Sequence, residues 1–396
     1  MGDLGVSGKR PVAENESFVV VSDLHLERQG SKNTARAMAE LVRDHAGKEI
    51  VLGGDVFGLS HDPKDEDPIE SVLAILSTHP ELEAALRQHV DVGGRLTFLA
   101  GNHDAALGEP RMLSALQRHL GDTQQSLSVA RWFIRRGSVH VEHGHLWDPD
   151  NAPAHPLAGW SHHSEPLGIS LTRRFVARRG VWQFAHAHET TLLHGLQRAF
   201  RLFGWRAPLL VQQYFATSAG IVFETLFDRG VSEERRQGEL ELARTAAREG
   251  VDVEALRRLL DCVPPPTHVH FWRTFLRLYY DRVLATLGAS SALTWLVKAP
   301  TAPGVLLAIA SAAYLSLNVR FAGARYTNRP VRLLRDGADI VRELTRAELV
   351  IFGHTHVPEV SANYANSGSF GYPTVAKGRP YLLVDPRGSA ELHFRR

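Results

Sequence analysis

Five short blocks of metal-ligand residue types stand far apart in this 396-residue chain, and each closes an apolar, β-branched run. They are Ser22-Asp23-Leu24-His25, Leu52-Gly53-Gly54-Asp55, Gly101-Asn102-His103-Asp104, Glu142-His143-Gly144-His145 and Gly353-His354-Thr355-His356. In the first, a carboxylate and an imidazole two residues apart project the same way from an extended terminus and could grip one metal. In the second, the two glycines let backbone and carboxylate approach a metal centre closely, and the Asp55 carboxylate has one oxygen for each of two ions. The third packs an amide oxygen, an imidazole and a carboxylate into consecutive positions. Hard oxygen donors suit Mn, Mg or Fe and imidazole suits Zn, Fe or Mn, so this mixture points to a hydrolytic centre. Taken singly, an Asp-x-His or a Gly-Asp is as readily a strand-ending turn or a helix N-cap.

Together and in this order, the five blocks resemble the signature of the calcineurin-like metallophosphoesterase superfamily, over residues 1–150 and 346–396. The resemblance implies an α/β fold, a four-layer α-β-β-α sandwich of two mixed β-sheets with the metals at the strand ends. Carried across residue by residue, it implies that Asp23, His25 and His356 hold one metal, that Asn102, His143 and His354 hold the other, and that Asp55 serves both. It also makes His103 the catalytic histidine that is not a ligand, with Asp104 hydrogen-bonded to it and fixing its orientation. His143 is preferred to His145 because it directly follows the strand and precedes Gly144, which leaves His145 free to face substrate. Downstream, Tyr364-Ala365-Asn366-Ser367-Gly368-Ser369 resembles the Asn-x-Gly-Ser segment that often follows the last histidines in the superfamily. One departure is Gly58, which stands where many relatives carry an acidic residue.

The expected cofactors are two divalent ions drawn from Mn, Fe, Zn and Ni, with Mn favoured. Two cations about 3.5–4 Å apart would neutralise a phosphate mono- or diester and hold a bridging hydroxide in line with phosphorus. His103, as imidazolium, would stabilise or protonate the leaving oxygen. Some members of the superfamily cleave the pyrophosphate of a UDP-linked acylated glucosamine, but they usually carry Arg where this chain has His103. A non-catalytic scaffold is the alternative of another class, and such relatives generally lose ligands that are intact here.

The elements that must position these residues are legible as short apolar runs at Phe18–Ser22, Glu49–Gly53, Leu96–Gly101 and Val139–His143. Helical patterns at Ala35–His45, Ile69–Ser77 and Glu81–His89 alternate with them, and a second strand-rich region closes the chain from Leu349 to Phe394. Between them, residues 151–345 read as a helical insertion, with long patterns at Ser232–Asp261 and His268–Leu287 around Pro264-Pro265-Pro266. It leaves the core next to His143 and returns just before His354, so it is expected to overhang the metals and set specificity. Within it Pro208–Leu226 and Ala302–Leu317 are strongly apolar; the second falls short of the roughly 20 residues that span hydrocarbon. It is expected as a buried helix, with peripheral membrane contact the alternative. Trp147-Asp148-Pro149-Asp150-Asn151 is expected as either a wall of the site or a plain turn, and His61–Asp67 as an acidic surface turn.

Composition narrows the rest. A formal charge of +2 and no long basic run give no indication of an extended nucleic-acid or anionic-membrane surface, and leave room only for local basic patches. Cys262 is the only cysteine, so an intramolecular disulfide and a Cys-rich zinc site are excluded, and it is expected to be packed. The segment Met1–Ser7 lacks an apolar stretch and has Val6 where a myristoylation signal wants Ser or Thr, so a cytoplasmic protein is expected. The pairs His162-His163, His186-x-His188 and His268-x-His270 are read as surface or packing histidines, since residues two apart on a helix point away from each other.

Overall fold

All four residues of β1 (Phe18–Val21) are buried, because the strand's two faces meet different cores. Val19 and Val21 pack among helices, whereas Phe18 and Val20 pack against a second sheet. The same alternation organises the whole core and gives the expected α-β-β-α sandwich. The computed structural model describes residues 16–62, 66–158, 164–181, 192–227, 230–299, 301–326 and 329–396. The segment Met1–Ser7 and the pairs His162-His163 and His186-x-His188 lie outside the described residues.

The other strands are β2 (Glu49–Leu52), β3 (Arg95–Leu99), β4 (Leu127–Ala130), β5 (Phe133–Arg136), β6 (Val139–Glu142), β7 (Leu349–Phe352), β8 (Glu359–Val360), β9 (Tyr364–Asn366), β10 (Arg379–Val384) and β11 (Ala390–Arg395). One sheet runs in the order β11-β10-β1-β2-β3-β4 and the other β5-β6-β7-β9-β8. Both are mixed: β1 to β4 pair in parallel while β10 joins β1 antiparallel, and β6, β7 and β9 are parallel with antiparallel edges. Strands β4, β5 and β8 escape the hydrophobic pattern because they are short and carry Ser128, Arg135, Arg136 and Glu359.

Helices α1 (Lys32–Asp44), α2 (Pro68–Thr78), α3 (Pro80–Asp91) and α4 (Met112–Leu120) cover the first sheet, burying Met38, Leu41, Ile75, Leu86 and Leu116. The remaining helices are α5 (Leu167–Leu171), α6 (Leu192–Phe203), α7 (Ala207–Glu224), α8 (Val231–Glu249), α9 (Val253–Cys262), α10 (Phe271–Arg277), α11 (Tyr280–Lys298), α12 (Ala302–Tyr326) and α13 (Arg329–Thr345). From these, α8, α9 and α13 bury Leu242, Leu256, Leu259, Leu334 and Val341 against Trp147, Val350 and Phe352. Part of the 151–345 segment therefore forms the outer layer over the second sheet.

Four expectations change. The single pattern His268–Leu287 is broken into α10 and α11 at Tyr279, which takes the left-handed region at φ 68°. The single pattern Ser232–Asp261 is two helices: Gly250 ends α8 in the left-handed region at φ 65°, and the Asp252 side chain accepts from Glu254 N to start α9. Ala302–Leu317 is not buried: in α12 Leu306, Ile309 and Leu317 are more than half exposed. Among the described residues its main packing partner is α11, and the reason is that the core is already filled by the three outer helices. Cys262, at the end of α9, is exposed and free, since the buried face of that helix is Ala255, Leu256 and Leu259.

Candidate metal centre

The five blocks converge where β1, β2, β3, β6 and β7 end, in a cluster whose side chains are almost wholly withdrawn from water. Adjacent loops are stitched by main chain: Asp23 N donates to Gly54 O at 3.0 Å, His25 N to Asp55 O at 2.9 Å, and Gly353 N to His143 O at 3.0 Å. Three sets of side chains bring their donor atoms within 4.8 Å of one another: Asp23, His25 and His356; His25, Asp55 and His103; and Asp55, His143 and His354. Asn102 joins the last set, its Oδ1 lying 3.2 Å from His143 Nε2.

Strand alternation does not explain how Asp23 and His25 come to point together. Strand β1 stops at Val21, and Asp23, His25, Asp55, His354 and His356 all adopt positive φ, between 48° and 65°. Left-handed backbone is costly for residues with a Cβ and persists where surrounding structure over-determines it. Here the turn conformation, rather than an extended terminus, aims both side chains inward. Gly54 makes this possible next to Asp55. Its φ is 93°, and a Cβ there would sit 2.5 Å from the His143 ring.

The histidine tautomers follow from their partners. His143 Nδ1 donates to Gly53 O at 3.0 Å, so Nε2 faces Asn102 and, at 3.3 Å, Asp55 Oδ2. His354 Nε2 donates to Asp148 Oδ2 at 3.1 Å, which leaves Nδ1 as its lone-pair nitrogen. His145 is buried with Nδ1 unpartnered and its ring centroid 5.3 Å from that of His143, at the wall of the adjoining cleft.

Positive charge is in demand throughout the cluster. Burial opposes ionisation of Asp23, yet the imidazoles of His143 and His356 hold its carboxyl well below the usual range. Asp55 is likewise buried and is held down by His143 and His103. Burial works against a charged His143, but Asp55 and Asp23 push it up to about 10. By contrast, burial keeps His25 well below the usual imidazole range. His25 Nε2 and His356 Nε2 stand 3.3 Å apart, and the buried Asp23 Oδ1 lies 3.1 Å from the second and 3.9 Å from the first. Two imidazole nitrogens and a buried carboxylate oxygen within 4.8 Å of one another are a donor set for a divalent cation, so the residues present fit that cofactor.

Asp104 does not do what was expected of it. Its Oδ1 accepts from Gly101 N at 2.7 Å and Asp55 N at 3.2 Å, and its Oδ2 accepts from Val56 N at 2.7 Å and Phe57 N at 3.1 Å. The expected bond to His103 is replaced by one between His103 Nδ1 and Ser60 Oγ at 2.6 Å. The reason is local: four backbone N–H groups left without strand partners after β2 and β3 converge on the carboxylate, and they outcompete a neighbouring ring.

Sequence reasoning also missed Ser60 and His61, which it placed in or beside a surface turn; His61 packs edge-on to His103 with centroids 6.3 Å apart. Tyr372 was missed too, its ring centroid 5.4 Å from that of His25. Asn151 continues the network by accepting from Asn102 Nδ2 at 3.3 Å and donating to Asp148 Oδ2 at 2.7 Å. The closing Asn366-Ser367-Gly368-Ser369 segment braces the centre: Asn366 Nδ2 donates to Gly353 O, Ser367 Oγ meets Ser22 Oγ at 2.5 Å, and Ser369 Oγ donates to Asp23 O. His268, one of the other histidines, meets Ser164 Oγ at 3.2 Å and belongs to none of the three donor sets.

A cleft opens beside the cluster, from Asn102, His103 and His145 to Arg131 and His155, and on to Glu165, Ile169 and Arg173 at the start of the helical segment. Asp62 and Glu66 line it as well, so these two residues of the acidic run are not simply solvated; residues 63–65 lie outside the described residues.

Residues 17–201 match the family model of the calcineurin-like phosphoesterases. The chain thus carries a calcineurin-like phosphoesterase domain, a family of metal-dependent hydrolases of phosphate esters that typically bind two divalent metals. The matched span includes Asp23, His25, Asp55, Asn102, His103 and His143 and ends before His354 and His356, which the fold returns to the same point. No curated protein matches the chain.

Proposed function

We propose that this protein hydrolyses a phosphate mono- or diester at a two-cation centre, with Asp23, His25 and His356 holding one ion, Asn102, His143 and His354 the other, and Asp55 shared. The observation that carries this reading is the convergence of five sequence-distant blocks into overlapping donor sets that share Asp55, with His103 alongside. Divalent ions bound there, manganese being favoured, neutralise the ester and lower the pKa of water.

The chain's own residues supply the rest. His103 has Nδ1 fixed by Ser60, so its other ring nitrogen is the one turned to the reacting ester. Burial pulls its pKa down to about 4. Its proton therefore arrives with the negative charge of the ester, and it serves as general acid to the leaving oxygen. Asp55 Oδ1 accepts from His103 N at 2.8 Å, which locks the acid and the shared ligand into one frame. In the cleft, the unpartnered His145 Nδ1 and His155 Nε2 are available to the substrate, and Arg131, whose guanidinium meets only main-chain carbonyls among the described residues, adds positive charge for an anionic leaving group. Asp104 holds the Asp55 loop rather than acting on protons.

The test is a panel assay with manganese-loaded protein on a phosphomonoester, a phosphodiester, a nucleotide and a lipid pyrophosphate, with His103→Ala as control. Turnover on at least one ester, lost by about 10²–10⁴-fold in His103→Ala with metal content retained, is expected. Inactivity on all four would favour the scaffold, and unchanged turnover in His103→Ala would remove that residue from the mechanism.

A further inference from the structure

Helices α11 and α12 form an antiparallel hairpin that packs chiefly on itself. A seam of small residues joins them: Ala292 is fully buried, and a Cβ at Gly288 would meet Ser311 Oγ at 3.0 Å. Apart from that seam, little is covered. Among the described residues α11 buries only Arg282 and Ala292, and α12 only Gly304 and Ser311. Leu284, Leu293 and Val297 on α11 and Leu306, Ile309 and Leu317 on α12 are 56–81% exposed. A surface helix in water keeps one polar face, but no charged side chain occurs between Arg282 and Lys298 or between Thr301 and Arg320.

The charges that flank this apolar surface are predominantly of one sign, the exception being Asp281 at the start of α11, which accepts from Tyr314 Oη of α12. From Arg282 to Arg335 the chain holds Arg282, Lys298, Arg320, Arg325, Arg329, Arg332 and Arg335 and not one carboxylate. The whole chain carries a formal charge of only +2, so the remainder is net acidic and the cationic character is concentrated here. The segment 192–223 repeats the pattern: Arg198, Arg201 and Arg206 occur without a carboxylate, and Trp205 is 84% exposed beside Arg206, whose guanidinium lies 5.4 Å from its ring. Exposed tryptophan next to arginine is the composition of a membrane–water interface.

From this charge complementarity we infer that the α11–α12 hairpin docks on the surface of an anionic phospholipid bilayer. A second copy of the chain fits less well, because it would bring two predominantly cationic surfaces together, whereas lipid phosphates neutralise them. Among the described residues no helix is long and apolar enough to cross a membrane. The uncharged part of α12 is about 27 Å at 1.5 Å per residue, below the roughly 30 Å of hydrocarbon. The hairpin therefore lies within one leaflet's interfacial zone, where Lys298 at its turn and Arg320 at its base reach headgroups. This inference is independent of the chemistry proposed for the metal centre.

The experiment is co-sedimentation of the full chain with vesicles of phosphatidylcholine alone and of phosphatidylcholine mixed with phosphatidylglycerol, at low and high salt. Turnover of a soluble ester and sedimentation velocity are followed in the same samples. Binding to the mixed vesicles only, weakened by salt, is expected. Leu306→Asp combined with Ile309→Asp should abolish it, and Lys298→Glu or Arg320→Glu should each weaken it by about fivefold or more, with soluble-ester turnover unchanged in every variant. Failure to bind mixed vesicles would overturn the inference. So would self-association that Leu306→Asp with Ile309→Asp abolishes while vesicle binding stays unaltered, since that assigns the surface to a second copy.

Discussion

A carboxylate's role is decided by what it touches, and Asp104 shows how far residue type alone can mislead. Next to His103 in sequence, it reads as the partner that orients an acid; in space it gathers four backbone N–H groups and fixes the loop that carries Asp55. Asp104→Ala leaves those donors buried and unpaired at about 1–3 kcal/mol each. A large fall in melting temperature and in metal affinity is expected, with the shape of the pH–rate profile unchanged; an altered profile at unchanged stability would restore a direct role on His103. The donor residues themselves were legible because metal chemistry restricts them to few types at strand ends. Ser60 and Tyr372 were not, because a hydroxyl that fixes an imidazole and a ring that packs on one have no spacing of their own.

Elements carry the site through their ends. The strands were readable where both faces are buried, as in β1, β2 and β7, since continuous β-branched runs have few other uses. Strand β5 was hidden because Arg136 is part of its pattern, and Arg136 is there to reach across the sandwich. Its guanidinium pairs with Glu49 of β2 at 2.6–3.1 Å, joining the two sheets. Burial opposes ionisation of Glu49, but Arg136 outweighs it and holds the carboxyl below its ordinary 4.5. The folded state thus takes up that proton less readily than the unfolded chain, so the pair's stabilisation is complete above pH 4.5 and is lost as pH falls below it. Glu49→Gln should cost about 3–5 kcal/mol by leaving Arg136 buried and unpaired, and denaturant titrations should show a flatter acid limb than wild type. Equal midpoints at neutral pH would show that the pair does not tie the sheets.

At the scale of the whole molecule, the core and the long segment before His354 divide the labour. The segment was read as helical from its periodicity, but apolarity alone points the wrong way within it: the amphipathic, charged α13 seals the second sheet, while α12, uncharged as far as Arg320, stands exposed. That depends on which surface is already covered. The charge of the segment, carboxylate-free from Arg282 to Arg335, was hidden in a near-neutral total. What unites the core is a buried demand for positive charge shared by Asp23 and Asp55. The most direct test is metal content and ester turnover measured together in wild type and Asp55→Ala. Two divalent ions per wild-type chain are expected, with turnover lost on chelation and restored by manganese, while Asp55→Ala loses both metal and turnover. Full turnover in metal-free protein, or in Asp55→Ala, would contradict the account.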